Sequence, residues 1–292
     1  MLLGLAAALA AAVLYGVAAI LQASGARKVA SVESLDPRVM ARIMRQPTAM
    51  AALALMLVGF LLHLLAIRLV PLFLAQAGIA ASLVITALLA VVLFHDRLTR
   101  TEWGAVVAVF GGLVLLATSA GSVGGTGSGG SLPVVLIAGI VTIALCAAVA
   151  VRSRSSLSTA ALGLLAGFGY AVVGISGRIL PDLTLRNLAT APATYTLVLG
   201  GSLAFFLYSL ALQRGSVTLA TTPMIVSQTV TPAAVGVLLL GDSVRSGWVP
   251  AAAIGFVVTV LAASALVRFE GTARPSGVPG SSPARDSPTP TV

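Results

Sequence analysis

The segment VVLFHDRLTRTEW at Val91–Trp103 recurs, in altered form, as VLLLGDSVRSGW at Val237–Trp248. With an offset of 146 residues, the stretches 64–98 and 210–244 are identical at eight of 35 positions. Apolar composition alone would produce several of these identities, so the aligned charged residues carry the comparison. These charged pairs are Arg68 with Arg214 and Asp96 with Asp242. The chain therefore contains two related halves.

A second similarity extends the repeat to the beginning of each half. Four residues of the first apolar stretch, Leu9, Tyr15, Val17 and Ile20, recur in the sixth as Leu164, Tyr170, Val172 and Ile175. Stretches one to four then pair with stretches six to nine, and the fifth is a connector. A single connecting span makes the second half enter the membrane from the opposite side, which is a common architecture of transporters.

Composition identifies the class of protein. The 292 residues are 58% hydrophobic and only 9% charged, with a mean hydropathy of +1.07, whereas a soluble domain carries about 25% charged residues. A membrane-spanning helix needs about 20 apolar residues. Nine stretches qualify: Leu2–Leu21, Thr48–Ile67, Val70–Phe94, Trp103–Ala120, Pro133–Val151, Leu157–Leu180, Thr194–Gln213, Val217–Leu240 and Trp248–Val267. The sequence predicts an all-α polytopic membrane protein with nine transmembrane helices, arranged as two inverted four-helix repeats joined by a central fifth helix.

The distribution of Lys and Arg predicts the orientation. Placing the N-terminus outside puts 13 of these residues in cytoplasmic segments and 4 in outer ones, as the positive-inside rule requires. Arg27 and Lys28 follow the first stretch and no basic residue precedes it, so we interpret it as a retained span rather than a signal peptide. Nine spans then place the C-terminus in the cytoplasm. The Ala-, Gly-, Val- and Arg-rich composition favours a bacterial plasma membrane.

The predicted organisation follows from these spans. Residues 1–120 form the first repeat, which includes a cytoplasmic segment at 22–47, and residues 157–268 form the second repeat. Residues 133–151 are the connecting helix. The glycine- and serine-rich stretch 121–132 is predicted to be a flexible outer linker. The Pro- and Ser-rich tail 269–292 is predicted to be disordered and cytoplasmic.

Several function classes are disfavoured. One cysteine, Cys146, and two histidines are too few for a zinc or iron–sulfur site built from those ligands. The basic residues are scattered through loops rather than clustered in one patch, which argues against nucleic acid as a partner. No acidic residue lies inside a predicted span and no hydrolase or kinase pattern appears. We therefore expect neither an enzyme nor a bound cofactor, and we assign no catalytic residue and no metal ligand.

Polar residues within spans are costly unless they face protein or water, so they mark candidate sites. The eighth stretch concentrates them and also contains Pro223 and Pro232, which interrupt helical hydrogen bonding. The third is a milder copy. The predicted cavity-lining residues of these two stretches are Gln76, Ser82, Thr86, Thr221, Thr222, Ser227 and Gln228. The alternative is that these hydroxyls bond neighbouring helices or their own preceding carbonyls.

Further residues complete the set of expectations. Tyr15 and Tyr170 occupy matching positions and are predicted to line the cavity, and His63 is a possible proton or cation contact. Arg178 is expected to snorkel to the membrane surface. Asp96 and Asp242 are interpreted as caps at the headgroup level, each near an arginine or a helix start. The stretch Gly163–Gly167, GLLAG, predicts a close helix–helix contact.

Several segments resemble the drug/metabolite transporter superfamily (DMT, EamA-like). They are LYGVAAILQASGARK in the first span, LVGFLLHLLAIRLVP in the second and VVLFHDRLTRTEW followed by VVAVFGGLVLLA. His95 to Thr99 are similar to the acidic and basic residues that follow a long span in that superfamily. Most members have ten spans. Nine spans and a long segment after the first are closer to the NIPA-like branch, described as magnesium transporters. The resemblance covers residues 1–268 and implies a permease.

The substrate stays open between Mg²⁺ and a polar metabolite. Mg²⁺ prefers an octahedral oxygen shell with carboxylates, and the spans offer hydroxyls, amides and carbonyls instead. Two alternatives to a permease for a small solute are a flippase for a lipid-linked metabolite and a scaffold or partner subunit that does not transport. Membrane lipids are the expected surroundings, and a homodimer is possible.

Overall fold

The computed structural model describes residues 1–27, 47–94, 99–125, 131–153, 155–181 and 184–270, and this part of the chain is helical. Its helices are α1 (Leu2–Arg27), α2 (Pro47–Leu69), α3 (Leu72–Phe94), α4 (Arg100–Ser119), α5 (Leu132–Ala150), α6 (Ser156–Ile179), α7 (Leu185–Thr190), α8 (Pro192–Arg214), α9 (Val217–Leu238) and α10 (Val249–Glu270). Within these residues the β structure is limited to one isolated antiparallel bridge between Ala120 and Val244.

Every stretch predicted to span the membrane coincides with one of these helices. Eight helices of the described residues are long and apolar enough to cross a membrane: α1 to α6, α8 and α10. The helix α9 has 22 residues, but its threonines, Gln228 and two prolines make it less apolar than the others. For the described residues, the prediction of an all-helical chain with many helices long and apolar enough to cross a membrane is confirmed.

Two predicted segments fall largely outside the described residues. Of the cytoplasmic segment 22–47, the first six residues continue α1 to Arg27 and residue 47 begins α2. Residues 28–46 lie outside the described part. The same holds for residues 271–292 of the predicted tail, for 126–130 of the predicted linker and for Asp96.

Helix packing follows a repeated scheme. The helix α1 packs against α2 and α3, as α6 packs against α8 and α9. The two sets meet where α3 contacts α9 and where α4 contacts α10. The helix α5 packs only against α6 and α8 among the larger contacts of the described helices, which leaves it at the periphery.

The small residues of GLLAG allow α6 and α9 to approach closely. A Cβ added at Gly163 would lie 2.1 Å from the Ala220 carbonyl oxygen, and one at Gly167 would lie 2.3 Å from that of Met224. Real Cβ atoms do not approach other atoms so closely, so these positions require glycine. The predicted helix–helix contact at Gly163–Gly167 is confirmed, and it holds the polar helix α9 against α6.

The ends of the helices meet in two groups. At one end, which we call the Asp242 end, the starts of α1, α3, α8 and α10 meet the ends of α2, α4, α6 and α9, as side-chain and backbone contacts show. At the opposite end, which we call the Arg214 end, α5 and α8 terminate and α6 begins. Hydroxyl N-caps start helices here: Ser155 accepts from the Ser158 amide at 3.2 Å and Ser216 from the Leu219 amide at 3.3 Å, satisfying free amides of the first turn.

Candidate functional site

A cavity of about 750 Å³ lies in the middle of the bundle. Seven helices line it, α1, α2, α3, α6, α8, α9 and α10, so both halves of the chain contribute. The described residues of α4, α5 and α7 do not. The peripheral position of α5 agrees with this.

Most of the predicted site residues meet in this cavity. Tyr15, His63, Gln76, Ser82, Tyr170, Thr221 and Gln228 all line it, although they come from five helices far apart in sequence. Gln76, Thr221 and His63 are buried, with relative exposures of 3%, 7% and 8%. The Ser82 hydroxyl donates to the Ile79 carbonyl at 2.6 Å, so this side chain offers the cavity mainly its acceptor lone pairs.

Three predicted site residues lie outside the cavity lining. Thr86 donates to the Ser82 carbonyl at 2.8 Å within its own helix. The Ser227 hydroxyl lies 2.9 Å from the carbonyls of Leu164 and Pro223 and joins α9 to α6. For these two residues the alternative of helix bonding describes the contacts. The buried hydroxyl of Thr222 has no hydrogen-bond partner among the described residues, and we have no physical account of its position.

The cavity also contains polar residues that the sequence analysis did not select, namely Ser202, Tyr208, Thr229 and Thr259. The Tyr208 and Thr221 hydroxyls lie 2.7 Å apart and join α8 to α9 across the lining. Thr229 and Thr259 donate to carbonyls of their own helices at 2.7 Å. Each of them is a polar side chain inside an apolar stretch. The criterion that identified α9 could therefore have identified these residues as well.

A buried ion pair lies at the Asp242 end of the bundle. The Arg178 guanidinium Nη2 lies 2.5 Å from Asp242 Oδ1, and the two residues are 1% and 3% exposed. Arg178 also donates to the carbonyls of Ile67 and of Val70, the latter at 3.0 Å. These carbonyls lie at the C-terminal end of α2, where the helix dipole favours a positive charge.

The carboxylate of Asp242 is also bonded on its other sides. Oδ2 accepts from the Leu72 amide at 2.6 Å, and Oδ1 accepts from the Gly124 amide at 2.7 Å. Leu72 is the first residue of α3, so the carboxylate caps a helix start at which the dipole favours negative charge. Both ions therefore have hydrogen-bond partners around them, as a stable buried pair requires.

These contacts correct one sequence-based expectation and confirm part of another. The prediction that Arg178 snorkels to the surface is wrong, because its guanidinium finds an aspartate and helix carbonyls inside the protein. The interpretation of Asp242 as a cap near an arginine is confirmed, but the residue is buried rather than exposed at headgroup level. It caps α3 of the first half although it follows α9 of the second.

Residues 119–124 pair with residues 242–245 beside the ion pair. Backbone bonds of about 3 Å join Gly121 to Ser243, Ser243 to Ser122 and Arg245 to Ser119. The hydroxyls of Ser122 and Ser243 lie 2.8 Å apart. A Cβ at Gly124 would lie 2.1 Å from the Leu240 carbonyl oxygen, so glycine is needed for this approach. The first residues of the predicted linker thus lie over the ion pair.

The two arginines aligned by the repeat have different partners. Arg68, at the end of α2, donates to the carbonyls of Leu180 and, at 2.7 Å, Pro181. Arg214, at the end of α8, donates to Val151 at 2.8 Å and Ser153 at 3.3 Å. Arg68 therefore bonds the first half of the chain to the second, whereas Arg214 bonds the second half to the segment after the connector α5.

The described lining of the cavity includes the titratable side chain His63. It contains no Asp, Glu, Lys or Arg. Nor do the described residues anywhere bring together three or more His, Cys, Asp or Glu side chains that could hold a metal ion. Arg178 lies close by, since Ile67, whose carbonyl it bonds, lines the cavity. Its charge, however, is directed at Asp242.

Comparison of the chain with family models, with curated proteins and with solved structures finds no match.

Proposed function

We propose that the chain is a secondary transporter in which two inverted four-helix halves expose the central cavity alternately to the two sides of a membrane. The observation that carries the proposal is a cavity lined by both halves, which an ion pair and hydrogen bonds join at one end of the bundle. A site between two repeats with a separable closure is what alternating access requires. In this proposal the protein is a nine-span relative of the drug/metabolite transporter superfamily.

The helix packing supports the inverted repeat. The contacts of α1 with α2 and α3 have counterparts in those of α6 with α8 and α9. The halves meet where α3 contacts α10 and α2 contacts α6, and two further contacts pair equivalent helices, α3 with α9 and α4 with α10. A twofold axis in the membrane plane would bring equivalent helices together in this way. The less apolar α9 then crosses the membrane within the bundle, where neighbouring helices cover its polar side chains.

The placement of the helix ends supports the alternating topology. The starts of α1, α3, α8 and α10 and the ends of α2, α4, α6 and α9 share the Asp242 end, as nine successive crossings would produce. Arg27, Arg100, Arg152 and Arg214 lie at the other end, which receives 13 of the 17 basic residues by sequence. By the positive-inside rule we assign the Arg214 end to the cytoplasm and the Asp242 end to the outside of a bacterial plasma membrane.

This orientation assigns a role to the ion-pair network. It joins α2, α3, α6 and the segments after α4 and α9, so separating the halves on the outer side requires breaking it. At the Arg214 end, the hydrogen bonds between described segments connect α5, α6 and α8, which all lie outside the first half. In this proposal the ion-pair network keeps the cavity closed to the outside in the conformation described here.

Reaction of single cysteines with a water-soluble, membrane-impermeant thiol reagent tests the proposal. Replacing the native cysteine (Cys146→Ala) and introducing Ser82→Cys or Gly201→Cys places one thiol on either half of the cavity lining. We expect each to react from both sides of a membrane vesicle. Thr142→Cys, on the exposed face of α5, should stay unreactive because it faces lipid.

The same labelling distinguishes the alternatives. A scaffold or partner subunit that does not transport predicts no reaction at Ser82→Cys and Gly201→Cys from at least one side. Such a one-sided pattern would overturn the proposal. A flippase for a lipid-linked solute would also give two-sided reaction, and it would differ only in having a lateral opening. Two-sided reaction therefore excludes the scaffold and is compatible with a flippase.

A further inference from the structure

We infer that the cavity binds an uncharged organic solute whose surface is mostly apolar and which carries an amide-like group that both donates and accepts hydrogen bonds. This inference rests on the proposed function, because it assumes that the cavity is the solute site. It goes beyond that function by naming the chemical class of the solute, which is neither Mg²⁺ nor a charged metabolite.

The first argument is electrostatic. An ion that enters the cavity leaves water and meets no Asp, Glu, Lys or Arg on the described lining, where His63 is the one titratable side chain besides the tyrosines. Transfer of an unpaired charge into such surroundings costs several kcal/mol. Mg²⁺ is disfavoured most, because it releases its water shell reluctantly and its protein sites normally supply carboxylates.

The nearest buried charges do not change this conclusion. Arg178 and Asp242 neutralise each other, and their remaining hydrogen-bonding groups are directed at Ile67, Val70, Leu72 and Gly124. A substrate anion or cation could recruit one of them only by breaking the pair and leaving its partner buried and uncompensated.

The second argument is the chemistry of the lining. A volume of about 750 Å³ is in the range of pockets for drug-sized molecules. Most of the wall is aliphatic or aromatic, with Phe60, Ile79, Leu83 and Leu197 among its residues. Gln76 of α3 and Gln228 of α9 line the cavity, one from each half, and the Gln76 amide nitrogen lies beside Gly174 of α6. Each glutamine amide carries two donors and an acceptor, and a neutral amide is complementary to such a group.

The aromatic rings of the lining admit one competing class. Tyr15, Phe60 and Tyr170 could attract an organic cation through their π faces. A set of probes with nearly the same shape and different charge separates the two classes. We choose 2-naphthamide, which is neutral, 2-naphthamidine, which is cationic at neutral pH, and 2-naphthoate, which is anionic.

The experiment measures the shift in unfolding temperature of the purified full-length chain in detergent with each probe, since a ligand that binds the folded state stabilises it. We expect saturable stabilisation by the amide, with an apparent affinity about tenfold or more above those of the amidine and carboxylate. Gln228→Leu and Gln76→Leu should each weaken amide binding by about tenfold. The matched control Thr142→Val, on the exposed face of α5, should leave binding unchanged.

A charged variant distinguishes a lost contact from a folding defect, because a misfolded protein would not gain affinity for another probe. Gln228→Glu adds an anion to the lining and should reverse the preference, so that the amidine stabilises more than the amide. Stronger stabilisation of the unaltered chain by the amidine or the carboxylate would overturn the inference. So would the absence of saturable stabilisation by the amide, or saturable Mg²⁺ uptake into proteoliposomes.

The outcome separates this inference from the function on which it rests. Two-sided cysteine reaction without amide binding would leave transport intact and remove the substrate class. Amide binding without two-sided reaction would show an uncharged ligand site in a protein that does not alternate.

Discussion

The two ends of the helix bundle use equivalent arginines in different ways. Arg68 at the Asp242 end bonds carbonyls at the end of α6, across the boundary between the halves. Arg214, its counterpart in the repeat, bonds carbonyls after α5. The buried Arg178–Asp242 pair reinforces the first end. Among the described residues, hydrogen bonds and an ion pair thus join the halves at the Asp242 end, and in the proposed mechanism these bonds keep the outer side closed.

The largest effect is expected from breaking the ion pair. Asp242→Asn leaves the Arg178 guanidinium buried without its counter-charge, and removal of one partner of a buried pair costs about 3–5 kcal/mol. The free energy of unfolding, measured in detergent by denaturant titration, should fall by about this amount. The exposed Arg245 at the same end offers a control, since Arg245→Met should change stability by less than about 0.5 kcal/mol. Equal effects of both variants would contradict the role assigned to the pair.

The segment over the ion pair should be the next most sensitive element. Gly124→Ala places a Cβ against the Leu240 carbonyl and the Asp242 amide, and such overpacking costs about 1–3 kcal/mol. Gly104, on α4 toward the other end, has nothing within 4 Å of an added Cβ. Gly104→Ala should therefore stabilise its helix by about 0.5–1 kcal/mol. Thermal unfolding of the two variants measures the difference, and a stabilising Gly124→Ala would show that the close approach is not required.

The aligned arginines give the smallest effect on stability but the sharpest comparison. Arg68→Met and Arg214→Met each remove hydrogen bonds to two carbonyls, so each should lose about 0.5–1.5 kcal/mol in the same unfolding assay. Only Arg68→Met should also speed the reaction of Ser82→Cys with a reagent added outside, because only Arg68 joins the two halves. Faster outside reaction in Arg214→Met as well would mean that the ends are not different.

The helices and much of the cavity could be predicted from the sequence. The positions of the helices follow from the long uncharged stretches, because the few charged residues of this chain lie mainly between those stretches and mark where each helix ends. The criterion of polar residues within spans found Gln76, Gln228 and Thr221, since a polar side chain in an apolar helix needs protein or water beside it. The GLLAG stretch also predicted correctly where α6 and another helix approach closely.

The ion pair could not be predicted in the same way. Arg178 and Asp242 are separated by 64 residues, and each lies at a span end where contact with headgroups is the usual expectation. Only the packing of α6 beside the ends of α2 and α9 buries them together. Ser227 was misassigned for a related reason: whether a hydroxyl faces a cavity or the neighbouring helix depends on the rotation of α9, which its composition does not determine.

The most direct test of the central claim is the rate at which Ser82→Cys, in the Cys146→Ala background, reacts with an impermeant thiol reagent added only outside. Ser246→Cys, exposed at the Asp242 end, reports that the reagent reaches the protein equally in each sample. If the ion pair closes the outer end of the cavity, Asp242→Asn should raise the Ser82→Cys rate by about tenfold or more and leave the Ser246→Cys rate unchanged. An unchanged Ser82→Cys rate in folded Asp242→Asn protein would contradict the claim.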